Sequence, residues 1–288
     1  MTSARHDLQA PALLRRLDHG GPSARSLLLT VLGEYVLASS EPVWTAALIG
    51  VLAEFDVAEK TARQAVARAA AEGWIAGQRQ GRLVRWALTD SGRKLLTEGA
   101  QRIYSFGQEH IAWDGRWLVL MITVPQSARD VRHRLRTRLA WAGLGPLPSG
   151  IWICPDPGRE AEVATILADL GLDAGAMSFV ASHGSIGTQS SLVGLAWDLA
   201  AVEASYQEFI DTFTAPEPAT GAQALTAQTL LVHEWRRFPF IDPQLPRELL
   251  PAAWLGTQAA DLFRARHGEW RGAATEYWNA LASGAHRD

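Results

Sequence analysis

The stretch from Glu59 to Lys94 limits the fold more than any other part of this sequence. It carries Lys60, Arg63, Arg68, Arg79, Arg82, Arg85, Arg93 and Lys94 against only Glu59, Glu72 and Asp90, in a chain of 288 residues whose formal net charge is −3. Its first half has helical periodicity up to Gly73, with Ala62, Ala65, Val66, Ala69 and Ala70 on one stripe and Lys60, Arg63, Gln64 and Arg68 on the other. Alanine has almost no reach, so such a helix must lie very close to its neighbours, and its cationic side must face outward. Two amphipathic patterns precede it. In "SARSLLLTVLGEYVLAS" the stripe is Leu28, Val31, Leu32, Tyr35 and Val36, and in "WTAALIGVLAEF" it is Leu48, Ile49, Leu52 and Phe55. Asp56, with Glu59 three residues on, is placed to form a capping box for the third helix. "WIAGQRQ", a Gln80-Gly81 turn and "RLVRWALT" then read as a two-stranded hairpin, and "TDSGRKLL" opens a further helix.

From Trp113 to about His183 the pattern changes to a βαββαβ rhythm. "RWLVLMITV", "SGIWICP" and "AMSFVAS" read as strands, and "SARDVRHRLRTRLAWAG" and "GREAEVATILADLG" as helices, which predicts a small open sheet covered by helices on one face. The remainder is helical, with a soft "APEPATGAQ" linker and a loop "PFIDPQLPRELLP" that Pro239, Pro243, Pro246 and Pro251 keep from being continuous helix. Phe238, Phe240, Leu249 and Trp254 are expected to pin that loop. The expected fold is α+β: an N-terminal winged helix-turn-helix over 23–105, a ferredoxin-like middle domain over 106–188, and an all-α C-terminal domain over 189–288.

Composition, 48% hydrophobic and 20% charged, permits a sizeable core in two or three domains. The single cysteine, Cys154, forms no internal disulfide and no multi-cysteine zinc cluster, and it reads as a buried, inert thiol. "MTSARHDLQAPALLRRLDHGGPS" lacks the apolar segment of a signal peptide and reads as a flexible arm. The apolar run "WLVLMITV" is far shorter than the ~20 residues of a membrane helix, so a soluble, cytoplasmic protein is expected. Histidines 6, 19, 110, 133, 183, 233, 267 and 286 are scattered, with no i, i+4 pair, and no metal site is expected. "SHGSIGT" lacks the glycine of a nucleophile elbow, because His183 stands two before Ser185. No catalytic residue is assigned.

Helix, helix, turn, basic helix and basic hairpin follow one another in the order of a winged helix-turn-helix. On that reading Lys60, Thr61, Arg63 and Gln64 face bases in the major groove of a DNA duplex, while Arg68, Arg79, Arg82 and Arg85 neutralise phosphates. A second basic cluster, Arg129, Arg132, Arg134, Arg136 and Arg138, lies on the helix whose inner residues are Val131, Leu135 and Leu139. It could extend a DNA footprint, bind an anionic effector, or simply be a solvated face.

The stretch "VWTAALIGVLAEFDVAEKTARQAVARAAAEGWIAGQRQGRLVRWALTDSGRKLL" resembles the winged-helix domain of the PaaX-type transcriptional repressors. "GRWLVLMITVPQSARDVRHRLRTRLAWAGLGPLPSGIWICPDP" is similar to their ferredoxin-like middle domain, and "LVHEWRRFPFIDPQLPRELLPAAWLG" to their C-terminal domain. One departure is Ala58, where the family usually has a serine-like cap before the recognition helix. The middle domain also resembles small nucleases with an aspartate at the end of the first strand. Here Val124 and Pro125 occupy that place, which argues against metal-dependent cleavage.

The resemblance implies a homodimeric repressor of an aromatic-acid catabolic operon, bound to a double-stranded operator and released by an acyl coenzyme A effector. Candidate effector contacts are Arg236 and Arg237 for phosphates, with Trp197, His233, Trp235 and Phe238 around an apolar slot. The tryptophans read equally as core, and the arginines as partners of Asp198 or Glu234. The alternative function is an acyl coenzyme A-binding or nucleic-acid-processing protein that uses the winged helix for protein contacts.

Overall fold

The computed structural model describes residues 22–39, 41–107, 112–124 and 127–284. The N-terminal arm, His110 and Pro125 lie outside them. By compactness the chain forms two units, one of residues 1–106, 207–237 and 258–288, the other of 107–206 and 238–257. Residues 189–288 are therefore divided between the two units.

In the first unit, α1 (Ala24–Val31) starts at Ser23, whose hydroxyl accepts the Ser26 N–H at 3.2 Å. It runs on into a wider π-helical turn, Leu32–Val36, closed by a 2.8 Å bond from the Leu37 N–H to the Leu32 carbonyl. The expected stripe Leu28, Val31, Leu32, Tyr35 and Val36 is buried, together with Leu27. Strand β1 (Val43–Trp44) leads into α2 (Thr45–Ala53), which buries Ala47, Leu48, Val51 and Leu52, with Ile49 only half-buried. Helix α3 (Glu59–Ala71) packs on both α1 and α2 through Ala62, Ala65, Val66 and Ala69. Strands β2 (Ile75–Gln80) and β3 (Leu83–Leu88) and helix α4 (Asp90–Ser105) follow. The sheet has the order β1-β3-β2, antiparallel throughout.

The C-terminal helices complete this unit. Helix α9 (Gly221–Trp235) buries nine of its side chains, Ala224 to Trp235, on several faces, as a helix at the centre of a bundle must. Helix α11 (Gly256–Gly284) lays Ala259, Ala260, Phe263, Trp270, Ala274 and Trp278 inward, and Trp278 stacks on Tyr35 at 5.5 Å. Trp235 is fully buried between Phe106, Phe209 and Phe263.

The second unit runs β4 (Arg116–Ile122), α5 (Arg129–Trp141), β5 (Gly145–Leu147), β6 (Ile151–Cys154), α6 (Glu160–Asp169) and β7 (Ala176–Ser182). Its strand order, β5-β6-β4-β7 with every pair antiparallel, is the ferredoxin-like arrangement. Strand β5 was invisible to periodicity because it is only Gly145-Pro146-Leu147. Leu118, Leu120 and Ile122 pack against Leu135 and Leu139 of α5 and Val163, Ile166 and Leu167 of α6. The opposite face is partly covered too, since Trp117 and Ile153 meet Val193 and Ala196 of α7 (Gln189–Ala196) and Leu245 and Leu249 of the proline-rich loop. Helix α8 (Leu199–Thr214) begins in this unit and ends in the first. After α10 (Phe238–Ile241) the loop is pinned by Phe238, stacked on Tyr206 at 4.3 Å, by Trp254 edge-on to the same ring, and by buried Leu249. Phe240 lies 52% exposed against Trp141.

Candidate nucleic-acid interface

Helix α3 presents Lys60, Thr61, Arg63, Gln64 and Arg68 on its exposed face, as the alanine stripe requires. Its start differs from expectation. The N-cap is Ala58, with no side-chain hydrogen bond, and Asp56 sits in the preceding turn at φ +56°. The capping box does not form, because a residue in that left-handed turn lies two positions too early to reach the first-turn amides. Glu59 instead accepts from the Arg63 Nε at 2.8 Å. Both side chains are more than half exposed, and a solvated ion pair of this kind contributes little and exchanges readily for another anion.

The hairpin is locked to α2 by Thr45, whose hydroxyl donates to the Val84 carbonyl at 3.0 Å and accepts from Trp86 Nε1 at 2.9 Å. Its two-residue tip is Gly81-Arg82, between the paired Gln80 and Leu83, one position later than the Gln80-Gly81 turn read from the sequence. Gly81 at φ +63° suits the left-handed backbone that such a turn demands. Arg79 and Arg82 are exposed and, like Lys60 and Arg68, have no partner among the described residues.

Arg85 behaves differently. It is half-buried, donates to the Pro42 carbonyl at 2.9 Å and lies over the Trp44 ring at 5.0 Å. Its position opposite Trp44 in the β1–β3 register aims it at its own fold rather than outward. Arg25, to which periodicity assigns no role, pairs with Glu72 at 2.6 Å and covers Trp74 at 4.8 Å, tying the start of α1 to the end of α3. A 47-residue separation carries no periodic signal.

The six residues expected around an effector slot fall in both units. Trp197 and Phe238 belong to the second unit, and His233, Trp235, Arg236 and Arg237 to the first. Each has a local structural task. Trp235 and Phe238 are fully buried, and Trp235 Nε1 donates to the Ile103 carbonyl at 3.2 Å. Arg236 donates to the Ser26 hydroxyl, and Arg237 to Glu234 at 3.2 Å, with Glu208 at 3.8 Å. His233 sits 3.1 Å from the Thr30 hydroxyl, and burial together with the Arg236 charge lowers its pKa to about 3, so the ring is neutral. Trp197 stacks on Trp117 at 6.5 Å.

Among the described residues no group of three or more His, Cys, Asp or Glu could hold a metal ion. Burial pushes the Cys154 thiol up to about 11. No helix among the described residues is long and apolar enough to cross a membrane.

The chain is 30% identical over 251 residues to the transcriptional repressor PaaX of Escherichia coli (strain K12), an alignment that covers 83% of this chain and 78% of that protein. Residues 23–92 match the family described as PaaX-like protein, 110–193 the PaaX protein central Cas2-like domain, and 197–280 the PaaX-like protein C-terminal domain. The chain belongs to the PaaX family. Among solved structures, the uncharacterized protein Rv0674 from Mycobacterium tuberculosis aligns with 90% of this chain and 98% of its own at a TM-score of 0.61 and 25% identity. In this PaaX-family chain the basic face of α3 and the β2–β3 tip fall within the 23–92 match, and β4 to β7 within the Cas2-like match.

Proposed function

We propose that this PaaX-family regulator is a sequence-specific DNA-binding repressor whose N-terminal segment works as a winged helix-turn-helix, with α3 in the major groove and the β2–β3 tip on the backbone. The carrying observation is the outward face of α3: five polar or cationic side chains beside a hairpin tip bearing Arg79 and Arg82. Lys60, Thr61, Arg63 and Gln64 suit base edges, and Arg68, Arg79 and Arg82 suit phosphates. Arg85 supports the hairpin from within and is left out of the contact set. Two copies related by a two-fold axis would engage half-sites about one helical turn, or a multiple, apart. An acyl coenzyme A effector that prefers the unbound arrangement would release them, since only differential affinity shifts such an equilibrium. An aromatic-acid catabolic operon is the target class that the family resemblance implies.

The test is a mobility-shift titration on duplex from upstream of the protein's own gene. Arg63→Ala should cost about 1–3 kcal/mol at one base position. Arg82→Ala should weaken all sequences alike and flatten the dependence on salt. No duplex binding even at low salt would refute the reading.

A further inference from the structure

The second basic cluster of the sequence is split by the fold, and part of it meets a cavity. Arg138 pairs with Asp169 at 2.6 Å. Arg132 and Arg136, one helical turn apart on α5, both line a cavity of about 550 Å³ beneath the β5–β6 connection, with Ile122, Val124, Leu135, Leu147 and Trp152 among its walls. That volume lies in the range of small-molecule sites. Among the described residues no carboxylate lines it. Its rim is built under backbone constraint: Ser149 is left-handed at φ +62°, ψ +27°, and Gly150 follows at φ +78°, packed so tightly that a Cβ there would meet the Ile122 carbonyl oxygen at 2.2 Å. A non-glycine residue held left-handed is a cost that functional rims often carry.

We propose that this cavity is a binding site for a small amphipathic anion, with an apolar body against Trp152 and Leu147 and a carboxylate or phosphate held by the guanidinium of Arg136. The apolar walls select the body. The forked donors of the Arg136 guanidinium match the paired oxygens of a carboxylate or phosphate, and Arg132, at i, i+4 spacing, adds positive charge on the same side of α5. The site lies wholly in the second unit, away from the residues first expected around an effector. Binding here stands independently of DNA; that the ligand acts as the release signal rests on the proposed function.

The test uses the full chain without DNA, titrated calorimetrically with phenylacetate, phenyl phosphate, phenylacetyl coenzyme A and coenzyme A alone. Thr123 is exposed and lines the cavity, so Thr123→Trp fills it without disturbing the core, whereas Arg136→Ala removes the anion contact. At least one apolar anion should bind, tenfold or more weakly to each variant, with thermal melting of the free variants unchanged. Tight binding of phenylacetate identifies a carboxylate as the recognised group. Binding of phenyl phosphate or of the thioester alone identifies a phosphate. The proposal is overturned if none of the four binds, if both variants bind like the parent, or if coenzyme A alone binds as tightly as its thioester. Loss of duplex binding by the parent would count against the repressor reading and leave this one standing.

Discussion

At the residue scale, two partly buried carboxylates are solved in opposite ways. Glu34, in the π-helical turn after α1, would be raised by its burial, but the hydrogen bond and charge of His267 and the hydrogen bonds of Tyr104 and Gln228 outweigh that and hold it below its usual pKa. Asp242 is raised by burial, against the hydrogen bonds donated by Tyr206 and by the Gln244 N–H. A depressed carboxylate stabilises the fold above its unfolded pKa, and that stability is lost as pH falls through the folded value. A raised one favours the fold at low pH, and that contribution is lost as pH rises through the folded value. Hydrogen exchange corrected for its intrinsic pH dependence should therefore show α9 losing protection on acidification below about pH 4, with the 238–249 segment gaining protection as pH drops from neutral. Movement of both segments in the same direction would contradict these assignments. Glu34→Gln breaks a network of three donors on one carboxylate and should lower stability by about 2–4 kcal/mol in urea titration.

At the element scale, α3 depends on the smallness of its inner stripe. Ala69 is fully buried, so Ala69→Leu forces the helix away from α1 and α2, with an expected loss of about 1–3 kcal/mol and of duplex affinity. Ala67→Leu, on the exposed face, should stay within about 0.5 kcal/mol of the parent. If the two behaved alike, the assigned packing face would be wrong. In the second unit, Gly150→Ala combines a left-handed backbone with a clash against β4 and should cost more than about 1 kcal/mol, read by thermal melting. Periodicity made α1, α2 and α3 legible, because each has one buried face, whereas the β2–β3 hairpin, in which Ile75 alone is buried, was legible from two short runs flanking a glycine turn. Pattern failed at β5, which is too short and too rich in Gly and Pro to show one, and at the hairpin tip, where Gln-Gly and Gly-Arg differ only by register.

At the scale of the whole molecule, the N-terminal segment finishes its core with helices from the far end of the chain. Tyr35 stacks on Trp278, Glu34 meets His267 and Thr30 meets His233, all within the first unit. A fragment ending at Phe106 should therefore unfold without the cooperativity of the full chain, as followed by circular dichroism in urea. A fragment as stable as the parent would show that these long-range contacts contribute nothing.

The sequence by itself determined the α+β class, the ferredoxin-like order of the middle segment and the outward cationic face of α3, because all of these follow from periodicity and local charge. Tertiary structure alone decided that Trp235 and Phe238 are fully buried, that Arg85 and Arg236 bond within the first unit, that Glu34 accepts from three side chains far away in the sequence, and that Arg132 and Arg136 line a cavity. Composition and spacing describe a residue's neighbours along the chain. A slot, a network or a cavity is defined by neighbours in space, and only the folded chain brings those together.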